Sequence, residues 1–208
     1  MRDSSLQHVA TTLMHLMSSS NSNLTAFVLA GGRSSRMGRD KAFLEFHGES
    51  LLARALKLAQ SVSADVAIVG PSSKFATFGR VVEDTFRNQG PLGGIHAALK
   101  SSNTDLNLIL AVDMPFVSPK FLAYLVDRAR SGYALVTIPR NNDGWQPLCA
   151  IYQRTFAAKA EAALQAGENK IDQLFRGSDI AIITAEELKR FPGNQFRNLN
   201  TPDDLAEA

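Results

Sequence analysis

The residue types best suited to chemistry lie in one short stretch, Leu29-Ala30-Gly31-Gly32-Arg33-Ser34-Ser35-Arg36-Met37-Gly38-Arg39-Asp40-Lys41, a glycine-rich turn with basic side chains that leaves an apolar run. Glycines at 31 and 32 let backbone N–H groups come close to a triphosphate, and Arg36 and Lys41 balance its charge. The spacing differs from a Walker loop, because five residues separate Gly32 from Gly38 and Arg39-Asp40 follows. No Gly-x-Gly-x-x-Gly fingerprint is present either. A basic loop without a ligand is the competing reading; the clustering of glycines and cations directly behind a buried run favours phosphate.

A second segment, Leu108-Ile109-Leu110-Ala111-Val112-Asp113-Met114-Pro115, ends an apolar strand on an acid. A carboxylate at a strand terminus facing a phosphate loop suits Mg²⁺, a hard ion that takes one or two carboxylates with water and phosphate oxygens. The alternative makes Asp113 a turn or capping acid ahead of Pro115. Gly90-Pro91-Leu92-Gly93-Gly94 precedes a helix expected from Ile95, so its N–H groups are placed to receive an anion, or else form a plain turn. Asn198 and Asn200 share one side of an extended segment and are candidates for metal or acceptor contact, while capping of a last helix explains Asn200 equally well. Trp145-Gln146-Pro147 follows the turn Asn141-Asn142-Asp143-Gly144; an aromatic ring and an amide suit a flat heterocycle, although an exposed hairpin tip is the simpler reading. Cys149 and Tyr152 read as strand core, and Phe75 with Phe78 as packing.

These candidates need a scaffold, and the chain alternates short apolar runs with longer amphipathic ones, the pattern of a parallel sheet covered by helices. Runs 26–30, 66–69 and 108–112 are continuously apolar, as buried parallel strands are. Segments 50–61, 93–101 and 118–130 predict helices, with Ser50 and Ser118 as N-caps and Pro119 in a first turn. Further strands are expected at 134–138 and 148–152, a helix at about 154–166, and a last helix from about Thr201. The fold class is therefore α/β, a three-layer, mostly parallel, doubly wound sheet. Right-handed crossovers place the loops after Ala30 and Val112 at its carboxyl edge, where such folds bind ligands.

The 208 residues are 45% hydrophobic and 20% charged, in the range of one globular domain. Twenty-two basic against 20 acidic side chains leave a net charge of +2, too balanced for a nucleic-acid surface. One cysteine excludes an internal disulfide, and His8, His15, His47 and His96 lack metal-ligand spacing. A cytoplasmic protein is the expectation, with neither secretory signal nor membrane span in the first residues. Ser18-Ser19-Ser20-Asn21-Ser22-Asn23 has linker composition, so residues 1–23 are read as a flexible N-terminal extension, with a helix or a frayed start over 6–17, and 24–208 as a single domain.

Seven segments in order carry a closer likeness: Leu29-Ala30-Gly31-Gly32, Arg36-Met37-Gly38, Asp40-Lys41, Glu83-Asp84, Gly90 to Gly94, Asp113-Met114-Pro115, and Asn198-Leu199-Asn200-Thr201-Pro202. Together they resemble the molybdenum cofactor guanylyltransferases, over about residues 24–208. The resemblance implies a Rossmann-like nucleotidyltransferase fold and transfer of GMP from GTP to the phosphate of molybdopterin, with release of pyrophosphate and with Mg²⁺ as cofactor. It places Leu29, Ala30, Gly31, Gly32, Lys41, Asp84, Gly93 and Asp113 on the nucleotide. Arg36, Lys41 and Asp113 would carry catalysis, with Asp113 also on the metal, and Asn198, Asn200 or Gln146 would reach the acceptor or metal. It implies GTP and molybdopterin as partners, with transient contact to other cofactor-biosynthesis or acceptor proteins. The chain departs from the family at Gly70, where an asparagine is common, and has one residue fewer between Met37-Gly38 and Asp40-Lys41. A relative using CTP or a sugar phosphate, or a nucleotide-binding module without turnover, are the alternatives.

Overall fold

A computed structural model describes residues 23–31, 40–86, 88–199 and 204. The N-terminal extension, its expected helix, Gly32, Arg36, Asn200 and nearly all of the expected last helix lie outside the described residues.

The centre of the molecule is a strand whose two faces are both covered. Strand β1 (Leu24–Leu29) pairs in parallel with β4 (Asp65–Val69) on one side and β6 (Leu106–Ala111) on the other. Along β1 the side chains part by turns: Leu24, Ala26 and Val28 enter one core and Phe27 the other, all essentially inaccessible. Double burial explains why these strands are continuously apolar rather than alternating. The sheet runs β10-β7-β9-β6-β1-β4-β5, with β5 (Arg80–Val82), β7 (Val136–Asn141), β9 (Cys149–Gln153) and β10 (Ile180–Ile183). Strand β9 is antiparallel to both β6 and β7, so β7 runs in the same direction as β1 and β6. The two-residue β8 (Gly144–Trp145) forms a hairpin with β7. A separate small hairpin joins β2 (Glu45–Phe46) to β3 (Glu49–Ser50).

Helices cover both faces. Helix α1 (Leu51–Gln60) starts at Ser50, whose hydroxyl accepts from the Ala53 amide at 3.2 Å. After the single turn α2 (Ser72–Phe75), helix α3 (Pro91–Ser101) starts four residues before the expected Ile95. Pro91 supplies its missing amide where no bond is needed, and Gly90, at φ 67°, makes the entry turn. Leu92, Gly93 and Gly94 are thus inside the first turn rather than ahead of it. Helix α4 (Pro119–Arg130) is capped by Ser118 as expected, and α5 (Phe156–Gln165) packs beside α3. Helix α6 (Ala185–Leu188) opens on a capping box between Thr184 and Glu187. The Thr184 amide and the Tyr124 hydroxyl, both donating to Glu187, hold its carboxyl below the usual range, and the bond to Glu187 raises the Tyr124 hydroxyl in turn.

Short elements escape the sequence pattern. Strands β5 and β10 and the 3-10 turns Lys41–Phe43 and Ile171–Phe175 span three to five residues each, too few for a period to register. Cys149 and Tyr152 are core residues of β9, and burial pushes the Cys149 thiol up to about 12 and raises the Tyr152 hydroxyl further. Phe75 is fully buried, whereas Phe78 stays 47% exposed.

Candidate active site

Because β1, β4, β6 and β7 run in parallel, their last residues share one edge of the sheet. Leu29, Val69 and Ala111 stand side by side in register there, and the loops beyond them carry the candidate residues. The Val112 amide donates to the Leu29 carbonyl at 3.1 Å, which brings Asp113 next to the start of the glycine-rich turn. The Arg54 guanidinium donates to the Pro115 carbonyl at 2.8 Å and fixes the far side of the Asp113-Met114-Pro115 turn.

Asp113 and Lys41, 72 positions apart, meet at this edge: Nζ of Lys41 lies 3.5 Å from Oδ2 of Asp113. Both are partly exposed, so the pair lies at the surface of this edge rather than in the core. Asp113 does not cap the helix that follows; Ser118 does that. Lys41 opens a 3-10 turn whose N-cap is Asp40, Oδ1 accepting from the Ala42 amide at 3.2 Å.

The amides of Ala30 and Gly31 both donate to the Val69 carbonyl at 3.0 Å. The Gly31 amide, expected to point at phosphate, is therefore engaged within the fold. Glycine also fits a close approach there: a Cβ at 31 would lie 3.3 Å from the Gly70 Cα, tight enough that the backbone of 70 would have to give by a few tenths of an ångström. Gly70 is enforced, since its Cβ would sit 2.7 Å from the Phe75 ring. The space a side chain at 70 would need is filled by Phe75.

Asp84 and Gly93, nine positions apart in no recognisable period, also meet. One Asp84 carboxylate oxygen accepts from the Phe86 amide at 2.8 Å, and a Cβ on Gly93 would come within 2.6 Å of the other. The carboxylate thus rests on the bare backbone of the first turn of α3, at its positive end. Behind it His96 is 4% exposed, edge-on to Phe86 at 5.0 Å between ring centres and 3.8 Å from Glu161. Among the described residues neither His96 nitrogen is hydrogen-bonded.

On the other flank of Asp113, the Leu199 amide donates to the Asp113 carbonyl at 3.0 Å, so Asn198 is brought to the same turn. Its Oδ1 is buried without a hydrogen-bond partner among the described residues. The chemistry of the two groups, a carboxylate and an amide oxygen left without a partner, is that of hard-oxygen donors and fits Mg²⁺. Among the described residues there is no group of three His, Cys, Asp or Glu that would form a self-contained metal cage. Such an arrangement suits an ion that keeps waters and phosphate oxygens as ligands.

The β7–β8 hairpin opens on the same edge. Gln146 is tied into it, its side-chain amide donating to Asn141 Oδ1 at 3.1 Å. Trp145 is not an exposed tip: its indole meets Phe175 at 5.5 Å on one side and the Arg140 guanidinium at 4.8 Å. Asp40, Lys74, Arg54 and His96 are the neighbours sequence reading missed; only Asp40, inside the Asp40-Lys41 pair of the resemblance, carried a signal. Among the described residues no helix is long and apolar enough to cross a membrane.

The profile of the family described as "MobA-like NTP transferase domain" matches residues 26–182. A probable molybdenum cofactor guanylyltransferase of Pelotomaculum thermopropionicum is 35% identical over 88% of this chain and 91% of its own length. Its counterpart in Opitutus terrae is 34% identical over 90% and 96%. Among solved structures, molybdopterin-guanine dinucleotide biosynthesis protein A from Archaeoglobus fulgidus superposes with a TM-score of 0.76 at 28% identity, covering 88% of this chain and 95% of its own. A CMP:2-keto-3-deoxy-manno-octonic acid synthetase complexed with CTP, at 13% identity and TM-score 0.70 over 89% and 96% of the two chains, shares the fold alone.

Proposed function

Since the chain belongs to the MobA-like NTP transferase family, we propose that it transfers GMP from GTP to the phosphate of molybdopterin, forming the guanine dinucleotide and releasing pyrophosphate. The observation that carries this reading is the meeting of Lys41 and Asp113 at the carboxyl edge, 3.5 Å apart and partly exposed to solvent. Phosphoryl transfer needs little covalent help from a protein; it needs alignment and neutralised charge. The nucleotide lies over the ends of β1 and β4, with Leu29, Ala30, Gly31 and Gly32 beneath it and Asp84 and Gly93 at the α3 turn. Lys41 and Arg36 take the phosphates. Molybdopterin enters from the β7–β8 side, past Gln146 and the segment of Asn198 and Asn200.

An oxygen of the acceptor phosphate attacks the α-phosphorus of GTP in line. The bond from that phosphorus to the β-phosphate oxygen breaks, and pyrophosphate leaves with the electron pair. Lys41 and Arg36 stabilise the charge growing on the leaving group. No side-chain nucleophile takes part: Cys149 is buried in β9 with its thiol pushed up to about 12. MobA-like nucleotidyltransferases commonly use a divalent metal; Mg²⁺, held by Asp113 with Asn198 beside it, would neutralise phosphate charge.

The test is to supply molybdopterin, magnesium and each of GTP, CTP, ATP and UTP, and to identify the dinucleotide by mass. A guanine dinucleotide formed in preference to the others is expected. Equal or better product from CTP assigns the chain to cytidylyl transfer, and no pyrophosphate release from any nucleotide leaves a binding module.

A further inference from the structure

Gly31 and Asp40 bound the basic stretch 32–39 in sequence, and both are fixed to the same short segment of the fold. Gly31 donates to the Val69 carbonyl at 3.0 Å and abuts the Gly70 backbone. Asp40 accepts from Lys74 in α2, Nζ to Oδ2, at 2.6 Å. Phe43, at the end of the 3-10 turn begun by Lys41, stacks on Phe75 at 5.8 Å and on Phe78 at 5.7 Å. That segment is itself braced: Gly70 donates to the Val82 carbonyl at 3.0 Å, and the Ser72 amide to Glu83 at 2.9 Å.

Asp40 is the hinge pin of this arrangement, because its two oxygens do different jobs. Oδ1 caps the 3-10 turn through the Ala42 amide, and Oδ2 takes the Lys74 ammonium. The side chain is only 15% exposed, whereas that of Lys74 is 49% exposed. An ion pair with one half-exposed partner adds little to global stability. Its consequence is local: it sets where the backbone of residues 40 and 41 lies relative to β4, and hence where the Lys41 ammonium sits relative to Asp113.

We infer that Lys74 is a positioning residue for nucleotide transfer: by holding Asp40 it fixes Lys41 opposite Asp113. The inference rests on the reading of Lys41 as a phosphate ligand. Lys74 touches neither phosphate nor metal in this account. It acts through Asp40, and Phe75 and Phe43 give the same segment its apolar support.

The pair is separable from the cap by substitution. Asp40→Asn keeps an oxygen for the Ala42 amide and removes the charge; Lys74→Met keeps the stem and removes the ammonium. In the full chain, each single change is expected to raise KM for GTP about tenfold with kcat within about threefold, the mark of a loosened phosphate contact rather than a lost catalytic group. The double variant should be no worse than either single, because both remove the same interaction. Lys74→Arg should restore near-normal KM. Melting temperatures should stay within a few degrees, as the exposure of the pair requires.

Hydrogen exchange of the amides of residues 41–44, measured without nucleotide, should quicken in Asp40→Asn, Lys74→Met and the double variant alike. This arm keeps the two readings apart. If the wild-type protein binds no nucleotide, the transferase reading falls and the exchange data alone judge the clamp. If wild-type turnover is normal but the singles leave KM and exchange unchanged, or their effects multiply in the double variant, the clamp is wrong and the transferase reading stands.

Discussion

Replacing Gly93 by alanine sets two effects of opposite sign against each other. An alanine in a helix is worth about 1 kcal/mol over glycine, so on an exposed turn the change would stabilise the protein. Gly93 is buried in the first turn of α3, and its new Cβ would lie 2.6 Å and 3.0 Å from the two Asp84 carboxylate oxygens and 2.9 Å from the Phe86 carbonyl. The carboxylate is not free to swing, because the Phe86 amide holds it at 2.8 Å. Overpacking of a tight site costs about 1–3 kcal/mol. Loss of a hydrogen bond to a charged group costs about 1.5–3 kcal/mol more. Set against the helix gain, the net is a loss of about 1.5–5 kcal/mol, or roughly 3–20 °C in melting temperature at this chain length. Since Asp84 is read as a nucleotide contact, KM for GTP should rise about tenfold or more alongside. Calorimetry and initial rates over a GTP series measure both. A Gly93→Ala protein that melts at or above the wild-type temperature with unchanged KM would show that the Asp84 carboxylate does not rest on this turn.

Gly70→Ala is expected to lower stability by about 1–3 kcal/mol through contact with the buried Phe75 ring, and adding Phe75→Leu should recover part of it, which calorimetry of both proteins checks. Cys149, buried and with its thiol pushed up to about 12, should resist thiol reagents at neutral pH until the protein unfolds; fast labelling of native protein would place it elsewhere. The Glu187 carboxyl is held below its ordinary value, so its contribution to stability is present above the usual carboxylate range and is lost as pH falls through the depressed native value. The melting difference between wild type and Glu187→Gln should shrink on acidification from pH 7 towards 3, and a constant difference would contradict that.

Long-period features were legible in the sequence, and pairings across the fold were not. The double burial of Phe27 and Val28 leaves an apolar run anyone can see, and Ser50, Ser118 and Pro119 mark helix starts by chemistry that acts within four residues. The placement of Asp113 in the turn just beyond β6 follows from the same logic. By contrast, Gly90 at positive φ moved the start of α3 to Pro91, which a break at the glycine pair had hidden. Contacts such as Lys41 with Asp113, Asp40 with Lys74 and Asp84 over Gly93 depend on how loops fold back over the sheet edge, and no local period encodes them. Gly31 shows the difference in kind: its place just past the end of β1 was readable, but the use of its amide on the Val69 carbonyl was not. The turn at Asn142 and Asp143 is the exposed hairpin tip its sequence suggested, but the covering of Trp145 beside it by Arg140 across the hairpin and Phe175 from a distant turn was not legible.

The most direct test of the account is Asp113→Asn, which keeps the side-chain size and removes the charge assigned to Mg²⁺. Its ion pair with Lys41 is partly exposed, so the variant should fold and lose no more than about 1 kcal/mol of stability. Pyrophosphate release from GTP with molybdopterin, followed across a magnesium titration, should fall by about 10²- to 10³-fold and need more magnesium to reach half its maximum. A folded Asp113→Asn protein with a near-normal rate and an unchanged magnesium dependence would remove Asp113 from the metal site, and the proposed meeting of nucleotide and acceptor at this edge with it.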